Sequence, residues 1–272
     1  MECIHGLSGS NLDLILHSPG GSVTATESLV LYIRSKFEKI RVIIPHAAMS
    51  AATMFTCAAD EILMGKHSFI GPIDPQFNLN TKLGEMSVPG QAILDQFKMA
   101  KEECLSDPKN LGVWLPIIEQ YGPGLIIQVR NAQELSKSLV TEWLEKYMFS
   151  DDADKKEKAQ SISKILSDHD NFKSHGRFIN REKAESYGLK IKYLEDDQVL
   201  QDNVLSVFHA TTQTFDGTPA VKLIENHLGK AFVKREMKVS IPMFPASPQA
   251  PIQPPMQPLK KLLNRRERRK IK

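Results

Sequence analysis

Residues 12–21 read LDLILHSPGG, and Ser50 follows 29 positions after the second glycine, within the segment AAMSAA of residues 47–52. The apolar run Asp13–Leu16 followed by Pro-Gly-Gly predicts a buried parallel strand that ends in a turn. Two adjacent glycines lack Cβ atoms, so the backbone can bring a bare N–H close to a ligand oxygen. Catalytic groups in α/β sheets gather at such strand ends. Together the two segments predict an oxyanion-binding loop facing a nucleophilic serine.

A helix and a second strand are predicted between these two segments. Apolar residues recur at helical spacing over residues 22–37, with Ser22 as the expected N-cap. The β-branched run Ile40–Ile44 predicts a strand that closes a right-handed βαβ crossover. Ser50 is expected at the start of the next helix, where unpaired N–H groups and the positive dipole end favour a developing oxyanion. The N–H of Ala51 is the natural second donor, although an N-cap serine and a plain glycine turn are the simpler alternatives for each feature alone.

Four motifs occur in a fixed order along the chain: HSPGG at 17–21, AMSAAT at 48–53, ADEILMG at 59–65 and GPIDPQ at 71–76. With the later element FINREKAESYGL at 178–189, they resemble the serine dehydrogenase proteinase family. These are Clp-fold serine peptidases related to the Clp protease proteolytic subunit and to signal peptide peptidase A. The resemblance covers roughly residues 11–236. It implies an α/β protein with the Clp/crotonase-like fold of repeated ββα units, additional helices and a disordered C-terminal tail.

The resemblance assigns part of a catalytic site. It implies Ser50 as the nucleophile and the N–H groups of Gly21 and Ala51 as the oxyanion hole. The general base does not carry over, because Asp74 stands where the Clp subunit has its histidine. A solvated carboxylate is too weak a base to deprotonate a serine hydroxyl efficiently. The position of the Clp acid is also changed, since Gly176 precedes Arg177 there.

Two replacements for the base are open. The first is a lysine, as in the Ser-Lys dyad of signal peptide peptidase A, and a lysine base needs burial. Lys101 is the better placed on the helix expected over about residues 89–104, on the flank of the apolar face, with Lys98 further round. The second is His175, with Asp74 as the orienting acid. A surface lysine and an exposed loop histidine are the simpler interpretations of these residues.

Three other histidines lie near the motifs in sequence. His46 and His67 are equally open candidates for the base, whereas His17 is expected to pack or cap beside the turn. The cysteines at 3, 57 and 104 show no paired spacing, and the histidines form no HxxxH or HxH cluster. Neither nucleotide-binding glycine motif is present. The sequence therefore predicts a hydrolase with no cofactor and no metal.

Composition indicates one α/β domain with an appendage. The chain has 272 residues and 41% apolar content, enough for a substantial core. We expect a Clp-fold domain over 1–238, a Pro-rich linker over 239–259 and a basic tail over 260–272. The tail holds eight Lys/Arg and one acid, a charge of +7, so the remaining residues carry −4 because the whole chain carries +3. This asymmetry predicts an anionic partner for the tail, nucleic acid or a membrane surface, and a solubilising end is the alternative.

Further elements are expected along the chain. Residues 125–147 predict a long helix, the runs 199–208 and 220–224 predict closing helices, and 231–233 predict a last strand. No apolar run reaches the roughly 18 to 20 residues that span a bilayer, and residues 1–12 lack a signal pattern, which predicts a cytoplasmic protein. The resemblance implies that many relatives carry a membrane anchor or an extra strand and helix before the Pro-Gly-Gly strand, so an incomplete sheet or an upstream gene start is also expected.

Two functions from different classes follow. The first is a serine peptidase that hydrolyses protein or peptide substrates through an acyl-enzyme on Ser50. The alternative is a catalytically inactive Clp-fold scaffold that binds partners through its helices and its basic tail. Crotonase-type enzymes share the fold and the double oxyanion hole, but they need no serine at position 50. By resemblance, we expect a homo-oligomer in either case.

Overall fold

The computed structural model describes residues 2–82 and 84–236. The predicted linker and basic tail lie outside these residues. The prediction of an anionic partner for the tail therefore also concerns residues outside the described part of the chain. Eleven strands are formed in the described part of the chain: β1 Asn11–Ile15, β2 Lys39–Ile44, β3 Ala47–Ala48, β4 Glu61–Met64, β5 Phe69–Ile70, β6 Gln76–Thr81, β7 Gly84–Pro89, β8 Ile179–Asn180, β9 Ile191–Tyr193, β10 Ala220–Glu225 and β11 Ala231–Arg235.

The same residues form nine α-helices, with short 3₁₀ turns at Pro108–Asn110 and Leu194–Asp196. A π-helical turn, Leu144–Met148, continues the longest predicted helix. The α-helices are α1 Val23–Arg34, α2 Ala51–Thr56, α3 Gly90–Ser106, α4 Leu111–Ile118, α5 Leu125–Trp143, α6 Lys155–Ser167, α7 His169–Phe172, α8 Arg181–Ser186 and α9 Gln198–Gly217.

A parallel sheet in the order β1-β2-β4-β9 forms the centre of the molecule. β1 pairs with β2 through α1, as the predicted crossover requires, and the Ser22 hydroxyl accepts from the N–H of Ala25 at 3.3 Å as the expected N-cap. Side chains alternate across β2. Val42 and Ile44 enter the main core, which holds buried residues of α1, α2, α5 and α6, whereas Ile43 packs into a smaller cluster with Val204 of α9. Because helices cover both faces, the three consecutive residues Val42, Ile43 and Ile44 of β2 are all apolar and buried, whereas Lys39 and Arg41 lie in its first half.

A second, smaller sheet lies beyond the end of β1. Its order is β3-β5-β8, with β3 parallel to β5 and β5 antiparallel to β8. Ser18, just beyond β1, forms a parallel bridge to Ala48 of β3. Ala48 pairs with Ile70 of β5, and Ile70 pairs with Ile179 of β8. One row of backbone pairs therefore joins four chain segments, and it fixes which loops leave the sheet at the same end of the strands.

Two antiparallel hairpins complete the fold. β6 and β7 pair over their full length and pack against Ile93 of α3 and Val129 of α5. β10 pairs with β11, so the helix predicted over 220–224 is wrong, whereas the predicted last strand is confirmed. The reason is the turn between them. The Asn226 side chain accepts from the N–H groups of Leu228 and Lys230, and Gly229 adopts a φ of +76°.

Asp60, just before β4, ties α1 to the central sheet. Its carboxylate accepts from Arg34 at 2.9 Å and from the Ile40 N–H at 2.8 Å, and the Arg34 side chain is only 6% exposed. Burial favours the neutral acid, but the Ile40 N–H and the Arg34 charge outweigh burial and lower the pKa of Asp60. The carboxylate form is therefore the stabilising one.

We expect Asp60→Asn to lower the free energy of unfolding by about 2–3 kcal/mol at pH 7, because Arg34 keeps a buried charge without its partner. Since the folded pKa lies below the unfolded one, this contribution is complete above the ordinary carboxyl range, about pH 4, and is lost as the pH falls through the folded pKa. Urea unfolding from pH 7 to 3 measures both effects. Asp13→Asn, which breaks an exposed pair with Arg41, is the matched control and should cost less than about 1 kcal/mol. Equal losses in the two variants would contradict the role of Asp60.

Candidate active site

Ser50 occupies a strained turn between β3 and α2. Its backbone has φ 53° and ψ −120°, and Lys173 is the other non-glycine residue with positive φ in the described part of the chain. Such a conformation costs on the order of 1–3 kcal/mol and is held by its surroundings. The side chain of Ser50 makes no cap hydrogen bond at α2. Ser50 thus stands at the N-cap position of α2 without capping the helix through its hydroxyl.

Gly20 accommodates this turn. A Cβ at position 20 would lie 2.8 Å from the carbonyl oxygen of Met49 and 2.8 Å from the Cβ of Ser50. Since the φ of Gly20 is also +106°, another residue there would be both strained and in collision. Gly21 differs, because a Cβ at this position would meet nothing within 4 Å. The loop thus packs on Ser50 through one glycine and borders open space at the next.

Two N–H groups beside Ser50 are unpaired. Within the described residues, neither the N–H of Gly21 nor that of Ala51 has a hydrogen-bond acceptor in the protein. Ala51 is the first residue of α2, where helical N–H groups have no intrahelical acceptor. The bridge from Ser18 to Ala48 keeps the two loops side by side. Both N–H groups are therefore free to bind a ligand oxygen, and their role as the predicted oxyanion hole stays a prediction.

Thr53 joins the Ser50 turn to the loop after β5. Its fully buried hydroxyl donates to the carbonyl of Ala48 at 2.7 Å and accepts from the N–H of Gly71 at 3.0 Å. Gly71 in turn lies against Met49, since a Cβ there would fall 2.4 Å from the Met49 methyl carbon. One side chain thus fixes the start of the Gly71–Gln76 segment relative to Ser50.

Asp74 lies within this segment and is surrounded by donors. Its side chain is 3% exposed, and one carboxylate oxygen is 2.6 Å from Nδ1 of His175. The other is 3.0 Å from Nδ1 of His169 and 3.1 Å from Nε2 of Gln76. Burial alone would raise the pKa of Asp74, but the hydrogen bonds and charges of His175 and His169 overcome it and lower the pKa. The group is therefore a buried carboxylate at neutral pH.

The strand pairing explains why Asp74 and His175 meet. Asp74 comes four residues after Ile70, and His175 comes four residues before Ile179. Because Ile70 and Ile179 are paired in antiparallel strands, the loop after Ile70 and the loop before Ile179 lie at the same end of the sheet. Ala48 of β3 pairs with Ile70 in a parallel arrangement. The Ser50 turn, which follows Ala48, therefore lies at the same end of the sheet. The predicted nucleophile and the imidazole–carboxylate pair thus share one end of the small sheet.

The other predicted base candidates lie elsewhere. Lys101 is exposed on α3, where it lines a groove with Trp114 and Leu115 of α4, so within this chain it lacks the burial that a lysine base needs. Lys98 is exposed too and pairs with Glu102 at 3.9 Å. His67 is exposed in the turn between β4 and β5.

The remaining two histidines pack together. His17 accepts from the N–H of Ala47 at 3.3 Å, which confirms that it packs beside the turn, and its ring meets His46 and Phe208 edge-on. His46 also stacks on Phe208. Burial, with His46 as a second cause, lowers the pKa of His17. Both rings therefore take part in the contact between the strand ends and α9.

Sequence reasoning missed His169, Gln76 and Thr53. Gln76 and Thr53 belong to quoted motifs, so their positions gave a signal that was not used. His169 had none, because its contact with Asp74 joins residues 95 positions apart. Within the described residues, no group of histidine, cysteine and carboxylate side chains has the geometry of a metal site, and no helix is long and apolar enough to cross a membrane.

Together, the parallel sheet, the strained serine turn and the buried carboxylate at the same end of the small sheet are features of an α/β protein with a candidate serine-hydrolase site. Residues 7–113 match the family model described as ClpP-like SDH-type serine proteinase. This match over the first part of the chain supports the family that the sequence motifs predicted. It indicates a Clp fold, whereas the repetition of ββα units stays a prediction.

Two proteins of Methanocaldococcus jannaschii are similar to the chain. The uncharacterized protein MJ1495 is 40% identical over 96 residues, which cover 35% of this chain and 30% of that protein. The uncharacterized protein MJ0137 is 31% identical over 180 residues, which cover 66% of this chain and 53% of that protein. The chain thus spans between about a third and about half of the length of these relatives.

Replacing Thr53 with valine keeps the shape of the side chain but leaves the Ala48 carbonyl and the Gly71 N–H without a partner in a dry environment. We expect the free energy of unfolding to fall by about 1–3 kcal/mol, measured by urea unfolding. Thr56→Val is the matched control, because the equally buried Thr56 hydroxyl donates to the Thr53 carbonyl within the same helix. If Thr53→Val were no less stable than this control, the bridging role of Thr53 would be refuted.

Proposed function

We propose that this protein is a serine peptidase that hydrolyses peptide bonds through an acyl-enzyme on Ser50. The observation that carries the proposal is the strained turn of Ser50, whose hydroxyl caps nothing although it begins a helix. Strained strand-to-helix turns of this kind expose nucleophilic serines in other hydrolases. The match of residues 7–113 to a serine proteinase family supports the same reaction.

The N–H groups of Gly21 and Ala51 would form the oxyanion hole. Both lack a protein acceptor in the described part of the chain, and both flank the Ser50 turn. Fixed donors aimed at the developing negative charge lower the barrier to the tetrahedral intermediate without reorganisation. The open space at Gly21 would leave room for the substrate carbonyl.

His175 is our candidate for the general base, with Asp74 as its orienting acid. A carboxylate can only accept hydrogen bonds, so Nδ1 of the neutral His175 ring carries the proton and Nε2 keeps a lone pair. In the proposed mechanism, Nε2 takes the proton of the Ser50 hydroxyl as Oγ bonds to the substrate carbonyl carbon. The imidazolium that results is stabilised by the Asp74 carboxylate.

The remaining steps follow from this arrangement. His175 returns the proton to the leaving amine as the C–N bond breaks, which leaves the acyl group on Ser50 Oγ. Water then gives a proton to His175 and its oxygen to the acyl carbon, and the bond to Oγ breaks with return of the proton to Ser50. The products are a carboxylic acid and an amine, and the protein returns to its starting state.

Protein or peptide substrates and a homo-oligomer belong to the same proposal. Large apolar side chains are exposed on α3 and α4, including Leu105 at 75% and Val113 at 68%, and this surface supports association between copies. An inactive scaffold is the alternative function. An anionic partner for the basic tail also stays a prediction, since residues 260–272 lie outside the described part of the chain.

A fluorophosphonate probe tests the nucleophile. We expect covalent labelling that maps to Ser50 and disappears in Ser50→Ala, because the probe reacts with an activated serine held beside oxyanion donors. Mass spectrometry of the digested adduct gives the site. Ser28→Ala, an exposed serine on α1, is the matched control and should label as the wild type. Well-folded wild-type protein that stays unlabelled over a broad pH range would support the scaffold instead.

The rate of labelling tests the base. His175→Ala should slow the maximal rate by about 10²- to 10⁴-fold, the usual contribution of a positioned base. Lys101→Met should leave the rate unchanged, because Lys101 is exposed on α3. If Lys101→Met labelled slowly and His175→Ala labelled at the wild-type rate, the base would be assigned to Lys101.

A further inference from the structure

The two oxygens of the Asp74 carboxylate have different tasks in the hydrogen-bond network. Oδ1 accepts from Nδ1 of His175 at 2.6 Å. Oδ2 accepts from Nδ1 of His169 at 3.0 Å and from Nε2 of Gln76 at 3.1 Å. One oxygen thus faces the candidate base alone, while the other is shared by two donors from separate segments.

This division matters because a carboxylate rotates easily. The terminal torsion of aspartate has broad, shallow minima, so a single hydrogen bond does not fix the direction of the group. Two donors that converge on Oδ2 from different elements define the plane of the carboxylate. Oδ1 then points to one place, where it holds the His175 ring.

His169 is anchored more firmly than His175. It is the first residue of α7, whose N-cap Asp168 accepts from the N–H of Asn171, and its side chain is 13% exposed. The carbonyl of Leu166, near the end of α6, accepts from the N–H of Ile73 at 2.9 Å, so the helix end and the Asp74 loop are tied together. His175 lies in the loop before β8 and is 23% exposed. The burial and the anchoring favour His169 as the fixed partner and His175 as the mobile one.

We infer that His169 is a positioning residue, which together with Gln76 holds Asp74 in the orientation that aims His175 at Ser50. This inference rests on the proposed function of His175 as general base. His169 acts through its Nδ1–H donor and does not touch the reacting atoms. Its removal lets the Asp74 carboxylate turn, and the His175 imidazole loses the orientation in which its Nε2 meets the serine hydroxyl.

The experiment measures fluorophosphonate labelling of Ser50 in the full chain over a range of probe concentrations. His169→Ala should lower the maximal rate by about 10- to 100-fold, the usual effect of a small misplacement at a catalytic centre, and leave the half-saturating probe concentration unchanged. His169→Asn should restore the rate, because its amide places an N–H near the position of Nδ1–H. His169→Gln should not, since its amide reaches further. His67→Ala, an exposed histidine outside the cluster, should label as the wild type.

The outcomes separate this inference from the function on which it rests. Wild-type protein that does not label at Ser50 would overturn both. Wild-type labelling that depends on His175, together with an unchanged rate in His169→Ala, would overturn the role of His169 alone. If His169→Ala does not fold, as judged by circular dichroism, the labelling rates of His169→Asn and His169→Gln test the positioning role of His169 instead. Equal rates in these two folded variants would also refute the inference.

Discussion

The row of backbone pairs through Ser18, Ala48, Ile70 and Ile179 is the constraint on which the candidate site depends. It joins four segments that are distant in sequence, and each catalytic candidate lies a few residues beyond one of these pairs. Strand pairing is strongly specified where the side chains are buried, and Ala48, Ile70 and Ile179 are fully buried. A slip by one residue would therefore expose the core and separate the loops. The relative positions of the candidate residues therefore depend on the packing of the buried side chains in these strands.

Strain at Ser50 and the absence of a side chain at Gly20 are two parts of one arrangement. The unusual backbone of Ser50 persists because Ala51 and Ala52 are buried behind it, while the Gly20 loop lies close in front. A larger residue at any of these positions would have to move the turn. The small residues around Ser50 are therefore explained by the close contact of two backbones. A peptide lying along the turn would benefit from the same lack of side chains.

Sequence alone predicted the parts of the fold that local chemistry determines. The β-branched run Ile40–Ile44, the Ser22 cap and the long helix after Gly124 are all present. The hairpin of residues 76–89 was not predicted, although Phe77, Leu79 and Val88 alternate with polar residues. Residues 220–224 form a strand because a later turn provides their partner. Elements whose state depends on a distant or following segment were the ones that local patterns misjudged.

The candidate site divides in the same way. The loop glycines and Ser50 stand in short motifs, so sequence could predict them together. His175 with Asp74 as its orienting acid was one of the alternatives left open for the base, and sequence could not choose it because their hydrogen bond depends on the antiparallel pairing of β5 with β8. His169 carried no signal, since a single histidine in a polar segment is compatible with any surface. Tertiary contact over about a hundred residues is what turns these three residues into one cluster.

The same pairing accounts for the departure from the Clp subunit, whose histidine position is occupied here by Asp74. A hydrogen bond between an imidazole and a carboxylate needs the two groups to face each other, and it does not specify which strand carries which group. Since positions 74 and 175 face each other across β5 and β8, the acid and the base can exchange places and keep their contact. In the proposed mechanism, such an exchange places the imidazole in the loop before β8. An acid in the buried position then needs additional donors, and His169 and Gln76 supply them.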